Sequence, residues 1–230
     1  MRNLLKNLAA KVPADSWERL LSYSVLNGPF SALGKTPAFS NRELLWDACL
    51  LEHAAANGGV TFVEFGVHEG YSMRHFSARN TSPASTFTGL DSFEGLPEAW
   101  GSMPKGSFDV NGSIPSPNDS RVHYIKGWFQ DTSGLLLQRL AGREAFPLIV
   151  HYDADLYSST LFALTQIARL NQPYLAIFDE FTGHESRALY NFSQAFYVDV
   201  NFLGKTLWKG TFPQQVLCRI TPRGPGGDGT

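Results

Sequence analysis

Apolar and polar positions along the chain follow two alternating periods. "NRELLWDACLLEHAAA" reads as an amphipathic helix that stops at Asn57 to Gly59, and Ser40 with Glu43 three positions later forms a capping box at its start. Beyond it, short apolar runs bounded by turn residues predict strands at "TFVEFG" (Thr61 to Gly66), "TFTGLD" (Thr86 to Asp91), "VHYIKG" (Val122 to Gly127), "FPLIVHYD" and "YLAIFD" (Tyr174 to Asp179). Helical patterns separate them: Tyr71 to Arg79, Ser133 to Ala141, "SSTLFALTQIARL", and His184 to Tyr197. "NFLGKTLW" and "QQVLCRI" predict two closing strands joined by "KGTFP". Strands alternating with helices are the pattern of βαβ units and a mainly parallel sheet, an α/β fold.

Three segments stand outside that alternation. "MRNLLKNLAAKVP" carries Leu4, Leu5, Leu8 and Val12 at helical spacing, and Lys6 and Asn7 break the run a signal peptide would need. It predicts a short amphipathic helix capping the domain or a neighbouring subunit. The Gly/Pro-rich "TPRGPGGDGT" predicts a disordered tail. Ser92 to Ser120 is too long for an ordinary connection, and its embedded Phe93, Trp100 and Phe108 favour an ordered lid over a linker. The division expected is a helical cap at 1–59, an α/β domain at 60–220 and a tail at 221–230.

Composition narrows the function classes. A formal net charge of -2 with no Lys/Arg stripe gives no electrostatic footprint for nucleic acid. No stretch approaches the roughly 20 apolar residues of a membrane span. Two distant cysteines, Cys49 and Cys218, argue against a disulfide framework or zinc cluster and fit a reducing, cytoplasmic setting. A homo-oligomer is left open.

The candidate chemistry collects at the carboxyl ends of the strands, where open α/β sheets bind ligands. Glu64, Gly66 and Gly70 end the first predicted strand in "VEFGVHEGYS", and Asp91 ends the second. Asp153 and Asp155 follow the fourth, and Asp179 and Glu180 the fifth. Burying unpaired carboxylates costs several kcal/mol each, on the order of the ionic desolvation penalty, so packing does not account for them. The glycine turn lacks the G-x-G-x-x-G spacing of a pyrophosphate site, because His68 stands at the middle position. Asp91, 25 residues after Gly66, suits ribose hydroxyls. The pair points to an adenosine-containing ligand without a phosphate contact.

"VEFGVHEGYS", "GLDSFEGLPEAW", "KGWFQDT", "HYDADLYSST" and "IFDEF", in this order, resemble the class I S-adenosylmethionine-dependent methyltransferases, closest to the macrocin O-methyltransferase type. The resemblance covers about Val60 to Ile220. It implies a Rossmann-like seven-stranded sheet, mostly parallel with an antiparallel last strand and helices on both faces. It also implies S-adenosylmethionine along Glu64, Gly66, Gly70, Ser72, Asp91 and Ser92, with adenine near Trp128, Phe129 and Asp131. Asp153, Asp179 and Glu180 become a Mg²⁺ site, although the family often has Asp-Asp where this chain has Asp179-Glu180. The acceptor is expected to be a hydroxyl of a small molecule.

Other readings remain at this point. A metal-independent O- or N-methyltransferase would use Asp153 or His184 as base. A dinucleotide oxidoreductase, or a non-catalytic adenosine-ligand module, is the reading from another class. Asp155 is expected to cap the helix that follows, Thr182 with Glu185 to form a capping box, and His151 to be a core histidine.

Overall fold

The computed structural model describes residues 14–53 and 59–224. The helix expected over residues 1–13, the stop at Asn57 and residues 225–230 of the expected tail lie outside them. Eight strands form one sheet: β1 (Ala38–Phe39), β2 (Thr61–Phe65), β3 (Thr86–Asp91), β4 (Val122–Lys126), β5 (Leu148–Tyr152), β6 (Tyr174–Phe178), β7 (Val198–Trp208) and β8 (Phe212–Pro222). Their spatial order is β1-β7-β8-β6-β5-β2-β3-β4. β8 runs antiparallel to both β6 and β7, and every other pair is parallel. The Rossmann-like, mostly parallel sheet with an antiparallel last strand is therefore present, with one strand more than expected. That extra strand is only two residues long, too short to leave a period, and it pairs Ala38 with Lys205 and Phe39 with Thr206.

Among the described residues, six α-helices cover the two faces: α1 (Ala14–Asn27), α2 (Arg42–His53), α3 (Tyr71–Arg79), α4 (Phe129–Leu140), α5 (Tyr157–Ala168) and α6 (Ser186–Ala195). β2, β5 and β6 are buried along their whole length, which is why they read as continuous apolar runs. Period-two alternation sends Val63, Phe65, Val150, Tyr152, Ala176 and Phe178 to the face covered by α1, α4, α5 and α6. Phe62, Ile149, Leu175 and Ile177 point the other way, onto Trp46 and Cys49 of α2 and Met73 and Phe76 of α3. Cys49 and Cys218 are thus buried on opposite faces.

Three boundaries moved from their expected places. Asn41, not Ser40, caps α2: its Oδ1 accepts from the Leu44 amide at 2.9 Å. Glu43 does not complete a box but accepts from the Tyr71 hydroxyl at 2.9 Å. α4 begins at Phe129, four residues before the expected Ser133, with Asp131 in its first turn, where an acid suits the helix dipole. β8 continues through Pro222, and Arg223 bonds Asp199 at 2.6 Å.

Lys205 of β7 anchors the segment before β1. Its Nζ is buried and donates to the carbonyls of Leu33, Gly34 and Thr36 at 2.6, 3.2 and 3.1 Å. Phe30 packs against Phe181 and Phe202, with ring centroids 6.2 and 5.1 Å apart. Among the described residues no helix is long and apolar enough to cross a membrane.

Candidate active site

The turn after β2 is built on Gly66. Its φ is +92°, and a Cβ there would lie 1.8 Å from the Asp153 carbonyl oxygen, so only glycine lets the β2 and β5 ends approach so closely. The Asp91 carboxylate then gathers the turn: Oδ2 accepts from the Val67 and His68 amides at 2.7 and 2.8 Å, and Oδ1 from Phe93 at 2.7 Å. Asp91 thereby fixes the loop backbone as well as facing the cavity above it.

That cavity, about 590 Å³, lies over the carboxyl ends of β2, β3, β5 and β6. One end is formed by Gly66, Asp91, Ser92, Trp128 and Phe129. The other is formed by Asp153, Asp155, Asp179 and Glu180, with Ser159 beside them. Leu96, Pro97, Trp100, Met103 and Phe108 form its roof. The expected lid is folded on itself: Leu96 and Ser107, Leu96 and Gly106, and Trp100 and Met103 are joined by backbone hydrogen bonds of 2.8–2.9 Å. Two ties hold it down. Ser158 donates to Glu98 Oε1 at 2.8 Å, and Lys126 Nζ to the Gly112 carbonyl at 2.8 Å.

Not every residue expected here reaches the cavity. Gly66, Asp91, Ser92, Trp128, Phe129, Asp153, Asp179 and Glu180 line it; Glu64, Gly70, Ser72, Asp131 and His184 do not. Glu64 shares the α2/α3 face of the sheet with Phe62. There its Oε1 accepts from the Ser72 hydroxyl and bonds His151 Nδ1 at 2.8 Å, and all three side chains are buried. Gly70 sits behind the cavity in a left-handed conformation as the cap of α3. Asp131 lies in the first turn of α4, beyond the two aromatics that do face inward. His184 Nδ1 accepts from the Tyr157 amide at 3.2 Å, which turns that ring toward the start of α5.

Two expected helix caps are absent. Leu156, not Asp155, is the N-cap of α5, and no side chain caps it. Asp155, at φ +57°, faces the cavity instead. Its Asp-x-Asp spacing from Asp153 was the available signal, and the neighbouring helix start obscured it. Thr182 donates to the Pro213 carbonyl at 2.5 Å rather than to the helix. Glu185 is buried and reaches back to the Glu180 amide at 3.1 Å.

Burial, followed by the crowding of like charges, dominates the electrostatics. Burial, then Asp179, Asp155, Glu64 and Glu185, hold the Asp153 carboxyl well above the usual carboxylate range. Burial with Asp179 and Glu180 pushes Asp155 up to about 7, and burial with Asp179 raises Glu180. No Lys or Arg lines the cavity among the described residues. Asp179 itself accepts from Gln215 Nε2.

No family model and no curated protein matches the chain. Solved structures share its fold, two of them as follows. The O-methyltransferase NovP is 19% identical, with 91% of this chain and 100% of NovP covered, at a TM-score of 0.50. The cofactor-bound protein Rv0187 from MTB is 14% identical, with 96% and 97% covered, also at 0.50. The eight-stranded sheet, with its cavity at the strand ends, is thus the fold of which NovP is a solved example.

Proposed function

We propose that the protein moves the methyl group of S-adenosylmethionine to a hydroxyl oxygen of a small molecule, with a divalent cation at the acidic end of the cavity. One observation carries this reading: a single cavity joins a glycine turn, Asp91 and two aromatics at one end to four carboxylates at the other. The first end suits an adenosine-type ligand, with Asp91 beside the ribose and Trp128 and Phe129 offering faces to the adenine. The second end fits Mg²⁺, which takes oxygen donors; Asp153, Asp179 and Glu180 would hold it. The raised proton affinities of Asp153 and Glu180, from burial and then from the neighbouring acids, show how poorly these two carboxylates tolerate the site without a cation. When bound there, the cation supplies Lewis acidity that makes a nearby hydroxyl a better nucleophile.

The chain's own residues do the rest. Between the two ends the acceptor oxygen faces the methyl carbon at near-attack distance, roughly 3–3.5 Å. The oxygen forms a bond to that carbon while the carbon–sulfur bond breaks and its electron pair passes to sulfur. The hydroxyl proton passes to the Asp153 carboxylate, which burial and the neighbouring acids make a stronger base than an ordinary carboxylate. The lid excludes water and sets the width of the acceptor pocket. The shared fold with NovP, an O-methyltransferase, supports the same reading.

Calorimetric titration with S-adenosylmethionine tests it. One-site saturable binding is expected, weakened at least roughly tenfold by Asp91→Asn, which removes one of the carboxylate's accepting oxygens. No heat at millimolar ligand would remove the methyltransferase reading altogether.

A further inference from the structure

Glu64 and His151 are buried ionisable groups that the reaction above does not use. Register explains how they meet. Glu64 of β2 is the lateral partner of His151 of β5, which pairs in turn with Ile177 of β6. Period-two alternation then puts Asp179, two residues after Ile177, on the same side as His151. Both His151 and Glu64 have 0% exposure, and the His151 ring packs edge-on to Trp46 with centroids 5.7 Å apart. His151 Nδ1 is engaged by Glu64 Oε1 at 2.8 Å. Its other nitrogen, Nε2, has no hydrogen-bond partner and stands 3.9 Å from Asp179 Oδ1. A buried ring nitrogen without a partner is costly, and here it is directed at a residue of the acidic cluster.

We propose that His151, held from behind by Glu64, is a positioning residue of the acidic end, acting on the Asp179 oxygen that Gln215 Nε2 also holds. His151 Nε2 fixes the direction in which the Asp179 carboxylate faces the cation. This inference rests on the cation reading above and deepens it. The geometry is that of a carboxylate–histidine pair behind a metal ligand, with the histidine here acting on a carboxylate rather than binding the ion. Outer partners of this kind typically govern affinity by about 10–100-fold. Ser72 completes the arrangement from α3, because its hydroxyl donates to the same Glu64 oxygen that holds His151. The Glu64 carboxylate therefore orients the ring from outside the cavity, which explains why an acid at the end of the first long strand does not face the ligand.

The test compares Mg²⁺ and Mn²⁺ affinities of the full chain by calorimetry and by Mn²⁺ paramagnetic resonance, with no turnover needed. His151→Asn keeps a group near Nδ1 for Glu64 and removes the one facing Asp179, so a roughly 10–100-fold weaker affinity is expected. His151→Gln, which restores a donor near the Nε2 position, is expected to recover part of that loss. A merely structural role would not separate these two variants. Glu64→Gln, close to isosteric, is the second route should the Asn variant fold poorly, and a weaker affinity is expected there too. S-adenosylmethionine affinity, read on the same samples, is expected to stay within about twofold and reports an intact cavity. Wild-type affinity retained in His151→Asn and Glu64→Gln would overturn the inference and leave the cation reading standing. No cation binding by the wild type would overturn the cation reading itself.

Discussion

At the scale of single residues, the acids at the strand ends make a pH signature. Asp153, Asp155, Glu180 and Glu185 all hold protons more tightly folded than unfolded. A carboxyl whose folded pKa is raised stabilises the fold most below its unfolded value of about 4 and loses that contribution as pH rises. For Asp155 the loss is complete near its folded value of about 7. In chelator, the protein is therefore expected to melt higher at pH 5.5 than at pH 7.5, and added magnesium should narrow that gap. A Tm that rises from pH 5.5 to 7.5 without cation would contradict this account. The same residues show how far a sequence can be read. Asp153, Asp179 and Glu180 were legible because acids closing an apolar run have no packing role. Asp155 was not, because a capping position and a cavity position differ by one backbone turn, here a left-handed one at Asp155; nor was Glu185, which is buried and accepts from the Glu180 amide. Glu64 misled for a different reason: it belongs to the strand's inward-facing alternation, and nothing in its local sequence announces His151 across the sheet.

At the scale of elements, the lid and β1 matter most. The lid's length and aromatics marked it as an ordered element, and Trp100 and Phe108 do reach the cavity, whereas Phe93 is buried in the core. Its attachment was invisible in sequence, since Glu98 and Ser158 are 60 positions apart. That tie is exposed, and a hydrogen bond of this kind contributes roughly 0.5–1.5 kcal/mol. Glu98→Ala is thus expected to speed release of S-adenosylhomocysteine by about two- to tenfold in stopped-flow measurements while leaving the melting temperature nearly unchanged. β1 could not be read because two residues carry no period. What secures it is Lys205, whose ammonium joins three carbonyls of one turn. Lys205→Met would strand those acceptors, with an expected loss of about 1–3 kcal/mol in denaturant unfolding. An unchanged midpoint would show that the turn finds other donors.

At the scale of the whole molecule, the order of the central strands followed from the alternation of periods, whereas the edge did not. Residues 30–39 close the β7 side of the sheet and pack Phe30 against Phe181, the residue directly after the Asp179-Glu180 pair. Deleting the chain up to residue 40 is expected to expose the β7 edge and bring aggregation on purification, since unpaired edges invite association. A monodisperse truncated protein would count against a shared core. The placement of the two cysteines has a practical consequence. Burial raises both thiols well above their ordinary pKa, so neither reacts while its layer is closed. Cys49 and Cys218 are therefore natural clocks, one for each side of the sheet. The rates at which they take up a thiol dye would time the opening of the two layers separately, without a single engineered label.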